Sequence, residues 1–230
     1  MADQMIYIPS ASVGMTALTP QGFHFIPVCD MTLLPLNPTG VVGFSAEELA
    51  TAKTIFRCYV TGSEDALDDL EIPISMFTAR VREGDPSYLS CKVPCGSTYT
   101  EGIELRPNGD IIIKSGLRFA DGSEYLEEIV RVNYETMATE RTGTLDNLVI
   151  TGHKTQTLGQ SKEWPLAGMS YYSADQTGRR RLRGTIDFRL RCGDICIYGD
   201  ETGENMIAGA ITYTVTAKPP VTVMEIEEAE

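Results

Sequence analysis

Phe77–Gly96, FTARVREGDPSYLSCKVPCG, decides how the chain reads. Phe77, Ala79 and Val81 alternate with Thr78, Arg80 and Arg82, a period of two that sends one set of side chains to a buried face. Glu83-Gly84-Asp85-Pro86 then breaks the run with turn chemistry, and Tyr88-Leu89-Ser90-Cys91-Lys92-Val93 resumes it. Strand, turn and strand follow one another. Arg183–Gly199, RGTIDFRLRCGDICIYG, has the same look. Neither stretch carries a catalytic constellation beside it.

Composition bounds the rest. A chain of 230 residues has room for one large β-domain or two small ones, and 42% hydrophobic with 22% charged residues is ordinary for a globular protein. No apolar run approaches the ~20 residues of a membrane helix, so no membrane insertion is expected. The opening MADQMIYIPSASVGM lacks the basic and apolar regions of a secretory signal. A net charge of −13 argues against a nucleic-acid groove, which needs basic surface to displace counterions. The basic run Arg179-Arg180-Arg181 with Arg183 reads as a solvated strand entry after Thr177-Gly178, or as the charge partner of an acidic neighbour.

Residues 1–53 read as an extended arm. Pro9, Pro20, Pro27, Pro35 and Pro38 exclude a long helix or a central strand, while Ser45–Lys53 has capping-box spacing in Ser45 and Glu48 and reads as a short helix. Residues 54–155 form a first β region. It begins with Thr54–Thr61, passes an acidic loop at Gly62–Asp69, and continues through Glu71–Met76 into the central stretch. Glu101–Arg106 and Asp110–Lys114 read as strands joined by an Asn-Gly turn at Pro107-Asn108-Gly109. Leu117–Phe119 and Glu124–Thr136 flank a second hairpin signal, Ala120-Asp121-Gly122, and Leu145–Gly152 is a further strand. Residues 156–178 are a long polar loop. Residues 179–218 form a second β region with strands at Leu182–Arg191, Cys196–Tyr198 and Ala208–Lys218. Pro219-Pro220 ends the last strand, and residues 219–230 are an acidic tail, mobile or docked on a partner, with four acids in its last six positions. About nine or ten short strands without alternating helices imply an all-β antiparallel sandwich or barrel, one large or two small β-domains behind an extended N-terminal arm.

Six cysteines, Cys29, Cys58, Cys91, Cys95, Cys192 and Cys196, include two Cys-x₃-Cys pairs, Cys91/Cys95 and Cys192/Cys196. Clustered thiolates serve zinc and iron–sulfur sites, but the spacing is not that of a zinc knuckle. Buried free thiols acting as small apolar residues are the expected reading, with disulfides formed in an oxidising medium or a metal site as alternatives. His24 and His153 stand apart from any nucleophile, and no Gly-x-Ser-x-Gly elbow or phosphate loop is present. Glu64, Asp65, Asp68 and Asp69 lack calcium-loop spacing. No catalytic, cofactor-binding or metal residue is therefore assigned, and no enzyme activity or cofactor is expected.

In order along the chain stand PSYLS leading into a VP turn, RPNGDIII, EEIVRVNYE, ITGHKT, RLRGTIDFRLRCGD and a final GAITYTV. This order, over residues 54–217, resembles tail-tip and baseplate structural proteins of long-tailed, siphovirus-like bacteriophages. Where such proteins tend to carry Val or Pro at turns, this chain has Cys91, Cys95 and Cys192. The resemblance implies a non-enzymatic, all-β virion component: a hub-ring subunit, trimeric or hexameric, assembled with other tail proteins in the host cytoplasm. Residues 1–44, 156–178 and 219–230 would be its contact regions. Two other readings stand beside it. One is a distal-tail, receptor- or carbohydrate-binding module, in which Trp164, Tyr171 and Tyr172 stack on sugars. The other is a cell-wall glycan hydrolase working through two acids.

Overall fold

The computed structural model describes residues 48, 51–62, 69–82, 84–94, 97–142, 145–155, 161–166, 169–198, 204–217 and 220–229. The expected arm, His24, Cys29, Cys95, most of the Ser45–Lys53 helix and most of the acidic loop lie outside these residues, although Glu48 and Thr51 are helical.

Alternating sequence becomes strand as expected. β1 (Lys53–Val60), β2 (Leu70–Ile72), β3 (Met76–Arg82) and β4 (Pro86–Pro94) lead to a helix, α1 (Ser97–Glu104). The chain then runs through β5 (Asp110–Arg118), β6 (Glu124–Thr142), β7 (Leu145–Thr155), β8 (Glu163–Pro165) and β9 (Met169–Ala174). It closes with β10 (Arg180–Gly184), β11 (Ile195–Tyr198), β12 (Glu204–Ala217) and β13 (Pro220–Glu228). All thirteen strands belong to one sheet, ordered β2-β1-β5-β6-β7-β4-β3-β12-β13-β10-β9, with β11 paired to the start of β12 and β8 added beside β11. Every described pairing is antiparallel except β8 with β11. The all-β antiparallel fold is thus what the alternation implied.

The sheet is rolled. β1 and β3 lie five places apart in it, about 24 Å if it were flat, yet the Phe56 and Phe77 rings stand 5.6 Å apart, edge to face. The roll encloses one apolar core containing Phe77, Leu89, Ile111, Val132, Ile150, Leu182, Ile211 and Tyr213. Bends come from identifiable places. Register shifts interrupt β5–β6 at Ile113/Lys114 and β6–β7 at Tyr134/Thr136, and bulges of this kind bend a strand and increase its twist. Gly116 and Gly152 let neighbouring backbones close in: a Cβ there would lie 1.8 Å from the Tyr125 carbonyl oxygen and 2.1 Å from that of Asn133.

Five expectations are corrected. Glu101–Arg106 is not a strand. In α1 the i, i+4 pair Tyr99 and Ile103 both pack on the core, so the helical period outweighs the Ile103/Leu105 alternation, and Leu105 is left 59% exposed. Arg106 donates to the Gly102 carbonyl at 2.7 Å to finish α1, and Pro107 stops it. Asn108, in the left-handed region at φ 63°, therefore links a helix to β5 instead of closing a hairpin. Leu182–Arg191 leaves the sheet at Gly184 and becomes a run of turns, packing Ile186, Phe188 and Leu190 inward. The 156–178 loop contains β8 and β9, and the acidic tail is β13, an inner strand of the sheet. β12 ends at Ala217, just ahead of Pro219-Pro220 as expected, and Pro220 then starts β13.

Candidate assembly surface

The last strands make a charged face and an edge. On β13, Met224 and Ile226 point to the core while Glu225 and Glu227 point out; on β10, Leu182 points in. Antiparallel pairing sets Arg181 opposite Glu227 and Arg183 opposite Glu225, with ion pairs of 3.3 and 3.4 Å. Arg80 of β3 reaches Glu227 at 2.7 Å. Arg180 meets Glu228 through its Nε at 3.0 Å and through its backbone N–H at 3.0 Å, and donates to the Tyr198 hydroxyl at 3.0 Å. The Arg180 guanidinium holds the Glu228 carboxyl below the usual glutamate range. The basic run and the acidic tail are therefore each other's partners, one of the two readings the run allowed.

Beyond β10 lies β9, Met169-Ser170-Tyr171-Tyr172-Ser173-Ala174, which pairs only with β10 among the described residues. It carries no charge and no proline. Tyr171 is 56% exposed, and Tyr172 is left out of the pairing with β10, which makes a bulge. The opposite edge is protected. β2 has only three residues, its Glu71 is bound to Arg57 at 2.6 Å, and α1 lies so close that a Cβ on Gly102 would come 2.9 Å from Leu70. Between the two edges, Thr136, Thr151, Ser90, Thr78 and Thr214 fall in one cross-strand row over β6, β7, β4, β3 and β12. Thr136 and Thr151 share a 2.6 Å hydrogen bond.

One buried acid anchors the turns behind this edge. Asp194, only 2% exposed, accepts from the Lys162 backbone N–H, the Arg191 backbone N–H and Trp164 Nε1, each at 2.9 Å. Its own carbonyl accepts from Ala208 N–H at 2.9 Å. It thus fixes β8, the Arg191 turn and β12 to one another. Arg189 lies over the Trp164 ring at 4.7 Å, itself held by Asp187 at 2.6 Å. The tryptophan expected to stack on sugars has its N–H committed and a cation against its ring. It sits on β8 and Tyr171 on β9, and the Tyr172 side chain lies outside the described residues.

The remaining candidates are placed as follows. Cys58, Cys91, Cys192 and Cys196 are buried thiols outside any disulfide. Cys192 donates to the Val81 carbonyl at 3.4 Å, and burial followed by the nearby Asp194 pushes the Cys196 thiol up to about 12. His153, exposed on β7, lies 2.7 Å from Glu135 and 5.0 Å from the Tyr88 ring. Among the described residues no three His, Cys, Asp or Glu side chains gather where a metal ion would sit, and no helix is long and apolar enough to cross a membrane. Asp194 escaped the sequence reading; Gly193-Asp194 signalled a turn, but nothing local signalled that its carboxylate faces inward.

No family model and no curated protein matches the chain. Among solved structures, a tail protein from Neisseria meningitidis MC58 superposes with a TM-score of 0.44 at 4% identity, over 76% of this chain and 96% of that one. The Francisella PdpA-VgrG complex in its lidded form gives a TM-score of 0.28 at 10% identity over 44% of this chain and 16% of that one. Its lidless form gives 0.27 at 11% identity over 44% and 19%. At scores this low none of these likenesses assigns the chain to a family.

Proposed function

We propose that the chain is a non-enzymatic structural subunit of a phage-type tail, a baseplate or tail-tip hub component that forms a trimeric or hexameric ring with neighbouring tail proteins in the virion. The tail part of this reading rests on the order of motifs over residues 54–217. The assembly part rests on one observation, the open, uncharged edge of β9. Edge strands in proteins that stay apart are blunted by charge, proline, shortness or a covering element. β2 is short, charged and covered by α1, whereas among the described residues β9 has only the bulge at Tyr172. A strand from a neighbour would find there N–H and C=O groups that no described residue pairs, with Tyr171 beside them. The rolled sheet supplies a rigid body, and the edge supplies the joint.

Light scattering of the purified chain over a range of concentrations tests this. A trimer or hexamer is expected, and Ser173→Pro or Tyr171→Lys should shift it toward monomer while circular dichroism and the melting temperature stay near wild type. A mass unmoved by these substitutions removes β9 from the joint. A chain that stays monomeric at every concentration, alone and with the tail proteins encoded beside it, removes the ring.

A further inference from the structure

We propose that Cys58 and Cys91 are a redox-controlled cross-link: two free thiols that meet across the rolled sheet and join as a disulfide, stapling β1 to β4, when the protein passes from a reducing to an oxidising medium. The pairing is not the Cys-x₃-Cys pairing that the sequence suggests. It follows from the roll. β1 and β4 are four places apart in the sheet, about 19 Å if it were flat. Cys58 lies two residues beyond Phe56 on the core face of β1, and Cys91 is the cross-strand partner of Phe77. The 5.6 Å contact of those two rings brings the same faces together one step away. The Cys58 and Cys91 side chains thus face the same stretch of core, both with 0% exposure and near enough for each thiol to act on the other.

The chemistry is exchange with a low-molecular-weight disulfide such as oxidised glutathione. One protein thiolate attacks a glutathione sulfur, which breaks the S–S bond, expels one glutathione thiolate and leaves a mixed disulfide. The second protein thiolate attacks the protein sulfur of that bond and expels the second glutathione. Two protein thiols lose two protons and two electrons, and one glutathione disulfide becomes two thiols. Burial, with the neighbouring thiol, pushes Cys91 well up, so thiolate is scarce in the closed fold and exchange proceeds through openings of β1 or β4. The cross-link therefore forms slowly and faster in mild denaturant. Once formed it resists reduction, because the reductant meets the same barrier. None of this depends on the tail reading.

The test incubates the whole chain with oxidised glutathione in mild denaturant, quenches with acid and digests with trypsin without reductant. A parallel sample receives N-ethylmaleimide in place of glutathione, under conditions adjusted until both cysteines are labelled. The expected product is a pair of peptides, Cys58–Arg80 and Glu83–Lys92, joined and two hydrogens lighter than their sum. The oxidised chain should unfold at higher guanidinium concentration than the reduced one, with the difference abolished in Cys58→Ala and in Cys91→Ala. Wild-type peptide mapping stands alone where those variants fail to fold. Glutathione adducts on the separate peptides, bonds to other cysteines, or unmodified thiols where maleimide labels both would each overturn the cross-link.

Discussion

Replacing Asp194 by alanine should be among the most damaging single changes to this fold that leaves its apolar core untouched. The carboxylate accepts three hydrogen bonds of 2.9 Å, and bonds to a charged acceptor contribute about 1.5–3 kcal/mol each. Lys162 is exposed and Arg191 half-buried, so water recovers some of the loss at their N–H groups. The net expectation is about 3–4 kcal/mol, or a fall in melting temperature of roughly 6–16 °C for a chain of this size. Asp194→Asn keeps one acceptor oxygen but turns an NH₂ group toward a backbone donor, and should cost about 2 kcal/mol. Trp164→Phe removes only the indole donor and should cost about 1 kcal/mol. Trp164 is the single tryptophan, so guanidinium unfolding of the Asp194 variants followed by its emission reports the same site that is perturbed. A double-mutant cycle with circular dichroism gives the coupling between the two side chains, expected at about 1 kcal/mol. A loss below about 1 kcal/mol for Asp194→Ala, or an unchanged tryptophan spectrum, would refute the reasoning that this acid ties β8 to the turn before β11.

Three further outcomes follow from the same geometry. Gly116→Ala and Gly152→Ala drive a methyl into carbonyl oxygens 1.8 and 2.1 Å away and should each cost more than about 3 kcal/mol by chemical denaturation, whereas Gly178→Ala, at φ 84° with nothing within 4 Å, should cost only the left-handed penalty of about 1–2 kcal/mol. Ser87→Ala and Ser115→Ala should be neutral or stabilising by up to about 1 kcal/mol, because both hydroxyls are buried without a hydrogen-bond partner among the described residues; a clear loss of stability would show that each has one. Glu124 and Glu228 are held below the usual value of 4.5, mainly by hydrogen bonds from Arg57 and Arg180. Their contribution is full above that pH and is lost as pH falls through the lower folded values, so melting temperature should drop on acidification below about pH 4.5 and drop less in Glu228→Gln.

The strands were legible wherever one face is wet. β3, β4 and β12 alternate cleanly because their outer rows are Thr, Ser, Arg and Lys over an inner row of Phe77, Leu89, Tyr213 and Val215. Ile103 and Leu105 alternate with Gly102 and Glu104, yet the helix runs to Glu104, since so short an alternation fits either period and only the burial of Tyr99 and Ile103 against the core decides. The run after Gly184 also alternates apolar and polar residues, but its apolar members fill the inside of the roll without any ladder. What the sequence could not carry is the roll itself. It depends on Gly116, Gly152 and two register shifts acting between strands distant in the chain. The cysteine pairing, the placement of Asp194 and the open edge at β9 all follow from that roll and from strand order.

The charge pattern of the last strands shows how strand order can nevertheless be written locally and read only in pairs. Arg181-Leu182-Arg183 and Glu225-Ile226-Glu227 are each a polar–apolar–polar triplet, and each alone looks like a solvated strand. Placed antiparallel, they have one register in which both arginines face glutamates, Arg181 with Glu227 and Arg183 with Glu225, while Leu182 and Ile226 share the core. A slip of one residue would turn the apolar side chains to water. A slip of two would set Arg183 against Glu227 and Arg181 against Ala229, or Arg181 against Glu225 and Arg183 against Val223, losing one ion pair either way. Exposed pairs of this kind contribute little to stability individually, about 0–1 kcal/mol each. Their larger effect is to select the register of β10 against β13. A chain with net charge −13 thus spends its most basic segment on its own acidic end, which leaves the uncharged β9 beside it as the surface on which a neighbour meets no like charge.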